Sequence, residues 1–417
     1  MTNRIIILMI ISALLIVIDL YIYKAVNSAF VKWNHKKRRL FNILFWSYSI
    51  ALVLGVFASI FLNLRLSARA IILVAFFLTF VSKVCFLLFL LLDDLRRGIT
   101  WIVKKSKRQK TASQPISTQN TIPRSEFLIK AGAIVAAVPL ASLSYGIIAG
   151  AYDYRIVRRT LILPNLPGSF EGLTIAQISD VHSGSFYDRK AVSGGVDLLL
   201  AQKPDMIFFT GDLVNNLASE MRDYQDIFSR LKAPLGVFSV LGNHDYGDYH
   251  FGKHPSAAKA QNLSDIKLTH KNMGWDLLLN ENRRIKIDGE EIAVVGIENW
   301  GAGRFVRHGR LDLAVQNIDD TPVKLLLSHD PSHWRAQVLK DYPQIDVMFS
   351  GHTHGMQFGV RTEELQWSPV QYIYPEWAGL YREQHQQLYV NVGYGFLGYP
   401  GRVGIQPEIT IFELKRA

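Results

Sequence analysis

"IDVMFSGHTHGMQFG", residues 345–359, is an apolar run that stops at Gly351 and then sets His352 and His354 on either side of Thr353. On an extended chain, residues i and i+2 point to the same side. Two imidazoles on one side at the end of an apolar strand form a potential metal-binding pair. An ordinary polar loop can also place two histidines this way, so the rest of the chain has to decide.

From about residue 172, short apolar runs alternate with amphipathic stretches, the pattern of an α/β domain. The strand candidates are "LTIAQIS", "DMIFFT", "GVFSVL", "EIAVVGI", "VKLLLS" and "IDVMFS". Helices are expected near 190–202, 217–232, 256–272 and 332–340. The turns at the strand ends carry the chemistry. Five of the runs lead in turn into Asp180-Val-His182, Gly211-Asp212, Gly242-Asn243-His244-Asp245, His329-Asp330 and Gly351-His352-Thr353-His354. Ligands bind α/β sheets at the carboxyl ends of strands, and a glycine there permits a tight turn that swings the next side chain inward. Carboxylate, imidazole and carboxamide oxygen together suit Mn, Fe or Zn. One ordinary site needs fewer groups than these turns supply; two ions sharing a carboxylate would use seven of them. The opening pair is therefore read as the last part of a two-metal cradle.

The N-terminal third is different. Four apolar stretches, at about 4–23, 41–62, 70–92 and 127–149, reach the length of about 20 residues that a membrane-spanning helix needs. The first is too long for a cleaved signal peptide and lacks a small-residue cleavage site. The formal charge of +11 lies wholly here: residues 1–153 hold 19 Lys and Arg against 5 Asp and Glu, whereas 154–417 hold 27 against 30. That split removes the basis for nucleic-acid binding. Segments 24–40 and 93–126 carry fourteen cations between them, against six on the opposite side, which places both in the cytoplasm. The N-terminus and the C-terminal domain then face outward across the cytoplasmic membrane. Asp19 and Lys83, inside the first and third spans, are expected to pair. Residues 111–123, polar and uncharged, read as a linker. The single cysteine, Cys85, rules out an intrachain disulfide. The expected division is a membrane region over 1–153 and a catalytic domain over 154–417.

The series D-x-H, G-D, G-N-H-D, H, G-H-x-H across residues 177–355 resembles the signature of calcineurin-like metallophosphoesterases, which include purple-acid-type phosphatases. The tail "YVNVGYGFLGYPGRVGIQPEITIFEL" is similar to that of the membrane-attached bacterial branch of the family, so the resemblance covers nearly all of 155–417. It implies a four-layer α/β/β/α sandwich with two divalent metal ions at one edge, Mn favoured over Fe or Zn. By motif, Asp180, His182, Asp212 and His354 would hold one ion. Asp212, Asn243, His329 and His352 would hold the other, with Asp212 bridging. The implied activity is hydrolysis of phosphate monoesters, diesters or pyrophosphates. Two such cations would clamp a phosphoryl group and supply an acidified water to attack phosphorus.

Around that centre, His244 is the candidate acid for the leaving oxygen. Asp245 and Asp330 are expected to orient imidazoles, with a turn at Pro331 the other reading for Asp330. Arg402 could meet a phosphate oxygen with its planar fork. The remaining C-terminal-domain histidines, His250, His254, His270, His308, His333 and His385, read as loop or surface residues. "IENWGAGRFVRHGR", residues 297–310, suits either a membrane interface or a lid packed on its own domain, and "YPEWAGLYREQ", residues 374–384, poses the same choice. The expected protein is a membrane-anchored phosphoesterase with a lipid or cell-envelope substrate. The alternatives are a UDP-diacylglucosamine-type pyrophosphate hydrolase of lipid A synthesis, or a transport or sensing protein regulated by a metal domain.

Overall fold

The computed structural model describes residues 2–29, 33–62, 66–106, 124–303, 305–362 and 364–417. The expected linker at 111–123 lies outside the described residues. The chain divides into two compact units, Met1–Ser144 and Tyr145–Ala417.

In the first unit, α1 (Thr2–Ala29), α2 (His35–Phe61), α3 (Leu66–Ser106) and α4 (Arg124–Tyr145) are apolar helices. The stretches long and apolar enough to cross a membrane are Met9–Ser28, His35–Ser59, Ile71–Val103 and Phe127–Gly150. The third outruns the expected 70–92. With 41 residues, α3 is about 60 Å long at 1.5 Å per residue, about twice the thickness of a hydrocarbon core. Past the apolar run, Arg96 and Arg97 close on Asp93 at 2.6 and 2.8 Å, the i,i+3 and i,i+4 spacing that brings helical side chains together. Lys83 Nζ lies 2.6 Å from Asp19 Oδ1 and 2.9 Å from Ser49 Oγ. The expected pair is therefore formed, and it ties α1 to α3 with α2 contributing the hydroxyl. Each charge alone in hydrocarbon would cost several kcal/mol.

The second unit is built on two six-stranded sheets. Its strands in chain order are β1 (Arg155–Leu163), β2 (Thr174–Ile178), β3 (Met206–Phe209), β4 (Val237–Ser239), β5 (Asp276–Leu277), β6 (Glu281–Ile287) and β7 (Glu290–Gly296). They continue with β8 (Lys324–Leu327), β9 (Val347–Ser350), β10 (Val360–Arg361), β11 (Gln366–Trp367), β12 (Gly379–Glu383), β13 (Gln386–Val390) and β14 (Glu408–Arg416). One sheet has the order β1-β14-β2-β3-β4-β5 and the other β12-β13-β9-β8-β7-β6; β10 and β11 form a separate hairpin. Both sheets are mixed. β2, β3, β4 and β5 are parallel, as are β1 with β14 and the series β7, β8, β9 and β13, whereas β14–β2, β12–β13 and β6–β7 pair antiparallel. Strands β3, β8 and β9 are buried at every residue, which is why they read as unbroken apolar runs rather than as alternation.

Three apolar clusters define the layers. Ile175, Phe208, Phe238, Leu325, Phe349 and Phe412 fill the space between the sheets. Val192, Val196, Phe228 and Ile266 cover the outer face of the first sheet, and Leu311, Trp334 and Val338 that of the second. The result is the expected α/β/β/α sandwich. Two expected helices are broken. The 217–232 stretch forms short turns at Ala218–Met221 and Gln225–Phe228, and 332–340 forms a wide turn at Trp334–Val338 before Leu339–Asp341.

His270 and His333 are fully buried rather than superficial. His270 Nδ1 lies 3.0 Å from Ser239 Oγ, and its ring packs on Phe209 and Trp275. Burial pushes its pKa from 6.5 down to about 3. The unfolded chain therefore takes up a proton that the folded chain refuses. The stability of neutral burial is complete above pH 6.5 and drains as pH falls toward 3. Between pH 6.5 and 5 the loss is roughly 2 kcal/mol. In thermal melts of the full-length protein, His270→Gln is expected to flatten this acid limb relative to the parent. An unchanged slope would assign the limb to other groups.

Candidate metal centre

The turns after β2, β3, β4, β8 and β9 meet at one edge of the sandwich. Oxygen and nitrogen atoms of Asp180, His182 and His354 lie within 4.8 Å of one another, and so do those of Asp212, His329 and His352. Asp212 Oδ2 joins the two groups, 3.5 Å from His182 Nε2 and 3.1 Å from His329 Nε2. Asp180 Oδ1 is 3.2 Å from His354 Nε2. Thus six of the seven expected ligands converge in two triplets with a carboxylate between them. The seventh, Asn243, is buried with its Oδ1 lacking a hydrogen-bond partner, and both ring nitrogens of His182 are in the same condition. Buried polar atoms are normally satisfied; those left here are donors suited to a divalent cation.

The backbone is bent to achieve this. Asp180, His182, Asp212, His352 and His354 all have φ between +48° and +73°. Left-handed conformations at non-glycine residues cost about 1–3 kcal/mol each and persist where the surroundings enforce them. Gly351 lets the His352 turn lie against Asp180, since a Cβ there would collide with Ser179 Oγ and Asp180 Oδ2. The His352 N–H then donates to Asp180 Oδ2 at 2.9 Å.

The charges are fixed by proximity. Burial works against ionisation of Asp212, yet His329 and His244 beside it hold the carboxyl well below the usual range. Burial likewise opposes a charge on Asp180, and His354 overcomes it. Burial also disfavours a proton on His329, but Asp212 carries its pKa up to about 10, while burial takes His182 down to about 3. Two carboxylates held as anions are the electrostatic condition for binding divalent ions.

His329 Nδ1 donates to the Thr210 carbonyl at 2.7 Å, and Nε2 faces Asp212. His244 is arranged alike, with Nδ1 2.8 Å from the Asn215 carbonyl. Its backbone N–H donates to Asp212 Oδ1 at 2.8 Å, and its ring stacks on Tyr249 at 4.5 Å.

Asp245 and Arg402 take roles other than those expected, and Asp330 takes the second of its two expected roles. Asp245 orients no imidazole. Its carboxylate accepts the backbone N–H groups of Asp212, Leu213, Val214 and Gly242 at 2.9–3.3 Å, clamping the turns that present Asp212 and Asn243. Burial and Asp212 push its pKa up to about 7. Asp330 Oδ1 accepts from Ser332 N and Oγ at 2.8 and 2.6 Å, closing the turn at Pro331, while Oδ2 stays 3.9 Å from His352 Nε2. Arg402 is not available to a phosphate. It is 2% exposed, donates to the carbonyls of Val392, Gly393, Gly395 and Ile405, and backs His354 Nδ1 at 3.4 Å.

His352 Nε2 meets the Tyr374 OH at 2.8 Å, and its Nδ1 lies 3.2 Å from His329 Nε2. The Tyr374 contact is carried by the aromatic loop 374–384, whose composition alone did not reveal it. The 297–310 loop packs on its own domain: Arg307 lies over Trp300 at 4.5 Å, and Phe305 meets His352 edge-on at 5.3 Å. Beside the centre, a cavity of about 340 Å³ is lined by Asn243, Tyr246, Tyr249, Phe305, Val306 and His308, among others.

Sandwich, converging turns and paired carboxylates are those of a metallophosphoesterase, with two Asp/His groups suited to divalent metals. Residues 173–356 match the family model "Calcineurin-like phosphoesterase", and residues 3–151 match "Probable Calcineurin-like phosphoesterase, transmembrane domain". The chain belongs to the calcineurin-like phosphoesterases and carries their four-helix transmembrane domain. It is 28% identical over 316 residues to a zebrafish (Danio rerio) "Transmembrane protein with metallophosphoesterase domain", covering 74% of this chain and 68% of that one. It is 28% identical to "Uncharacterized metallophosphoesterase YkuE" of Bacillus subtilis, covering 68% and 94%. It is also 28% identical to "Phosphodiesterase YaeI" of Escherichia coli, covering 57% and 80%. This is a membrane-anchored, metal-dependent phosphoesterase. The pyrophosphate-hydrolase and transport or sensing alternatives are not favoured.

Proposed function

We propose that the chain hydrolyses a phosphodiester of the cell envelope, with residues 154–417 as the catalytic domain on the outer side of the cytoplasmic membrane and 1–153 as its anchor. The observation that carries the chemistry is Asp212 Oδ2, set between His182 Nε2 at 3.5 Å and His329 Nε2 at 3.1 Å. In this reading Asp180, His182, Asp212 and His354 hold one divalent ion, and Asp212, Asn243, His329 and His352 the other, with Mn favoured. Bound there, such ions would supply neutralisation of phosphoryl charge and an acidified water at neutral pH.

The chain's own groups do the rest. His244, pinned through Nδ1 to the Asn215 carbonyl, offers Nε2 to protonate the leaving oxygen. Tyr249 fixes that ring by stacking. Phe305 and Tyr374 wall the His352 side and limit water there. Asp245 holds the Asp212 and Asn243 turns, and Arg402 holds the loops behind His354. Fourteen cations in segments 24–40 and 93–126 support the outward placement of the domain. Tethering raises the effective concentration of the site at the membrane. The name of the E. coli relative supports diesters over monoesters.

The test is a hydrolysis screen of the full-length protein in detergent against aryl phosphomonoesters and phosphodiesters, nucleotide phosphates and phospholipids. Expected is diester turnover that requires added Mn and stops with chelator. No turnover of any phosphate ester with Mn, Fe or Zn would overturn the reading.

A further inference from the structure

Within the second unit, exposed apolar side chains concentrate between residues 356 and 373. Met356, Phe358, Leu365, Trp367, Tyr372 and Ile373 all face outward, Tyr372 and Ile373 with 77% and 67% of their surface free. The segment is nonetheless firmly rooted. Val370 and Trp377 are buried with Ile405, and Ser368 Oγ donates to the Gly355 carbonyl at 2.8 Å. A rooted segment with apolar tips outward is a surface built for contact rather than a loosely packed loop.

Two neighbours say what it contacts. Met356 lies two residues beyond His354, and Ile373 precedes Tyr374, whose hydroxyl meets His352, so the patch is a rim of the metal centre. The other neighbour is Gly146–Gly150, the final turn of the apolar stretch Phe127–Gly150 and part of the same unit. The Gly146 carbonyl accepts from Arg402 N at 3.1 Å. Val403, next in sequence, donates to the Gln357 carbonyl and accepts from Gly359 N at 2.8 and 2.9 Å. The end of the fourth span and the root of the apolar hairpin therefore share one stretch of backbone. Arg155 and Arg159 line a groove with Thr362 and Gln366 beside that hairpin, where cationic side chains would meet lipid phosphates. Tyr and Trp at the tips are the side chains that settle at a bilayer–water interface.

We infer that residues 356–373 dock into the bilayer that holds the chain's own helices, setting the metal centre against the headgroup layer so that the phosphate ester it takes belongs to a membrane lipid. The lipid assignment rests on the phosphoesterase reading; the docking does not.

The test uses full-length protein in a Cys85→Ser background, in nanodiscs of phosphatidylcholine and phosphatidylglycerol. Environment-sensitive fluorophores are placed at Leu365→Cys and Tyr372→Cys, with Asp319→Cys, at the far end of the sandwich before β8, as control. Lipids brominated in the acyl chain are expected to quench the first two labels and spare the third. Absence of quenching at both, or energy transfer between labelled copies in its place, overturns the docking. Leu365→Asp with Ile373→Asp is expected to lower the ratio of phospholipid to soluble aryl-diester turnover about ten-fold or more, the scale set by burying one such side chain. An unchanged ratio overturns the lipid assignment. Quenching without any hydrolysis would sink the phosphoesterase reading alone and leave the docking intact.

Discussion

Asp212→Asn is expected to abolish turnover and to remove at least one of the two bound ions, while the fold survives. Three features of the structure make this substitution clean. Asp212 sits at φ +61°, a conformation that asparagine tolerates as well as aspartate does. Its Oδ1 accepts the His244 N–H, which a carboxamide oxygen can also do. What asparagine cannot supply is a charged Oδ2 facing imidazole nitrogens on both sides. Losing an outer hydrogen-bond partner of a ligand costs about 10–100-fold in metal affinity or activity, and loss of the bridging charge should exceed that range. Elemental analysis of metal-supplemented protein, with circular dichroism to check the fold, reads the outcome. Full metal content with undiminished turnover would refute the two-ion arrangement.

His244→Ala is expected to leave metal content unchanged and to lower kcat by about 10²–10⁴-fold, the usual range for a positioned general acid. The backbone N–H that anchors Asp212 Oδ1 remains in alanine, so the ligand turn is retained. The loss should depend on the leaving group. Alkyl esters, which depart as basic alkoxides, should suffer most, and nitrophenyl esters, which need little protonation, least. A loss of the same size for both would make His244 a positioning residue, and unchanged kinetics would remove it from the mechanism.

The five strand ends were legible because their information is local. A glycine, then a carboxylate or imidazole, after a fully apolar strand says both where the chain turns and what the turn presents. The α/β class was readable from the same runs, the four-layer sandwich from the family resemblance, and the Asp19–Lys83 pair from the cost of charge in hydrocarbon. What could not be read depends on who comes close in space. Asp245 looks like a partner for imidazole until four N–H groups from two turns converge on it. Arg402 looks like a phosphate ligand until four carbonyls from loops around residues 392–405 surround it. His270 and His333 carry no sequence mark of burial, because their satisfaction by Ser239, Ser328 and Gln337 comes from packing. The 217–232 pattern is amphipathic enough for a helix, but the chain turns at Glu220, whose carboxylate caps the N–H groups of residues 215–217.

The Asp19–Lys83 ion pair also constrains how the protein is made. Asp19 emerges from the ribosome more than sixty residues before its counter-ion. Until the third helix arrives, the first carries a lone carboxylate that lipid rejects. The first helix is therefore fully settled in the bilayer only once the segment that neutralises it stands beside it.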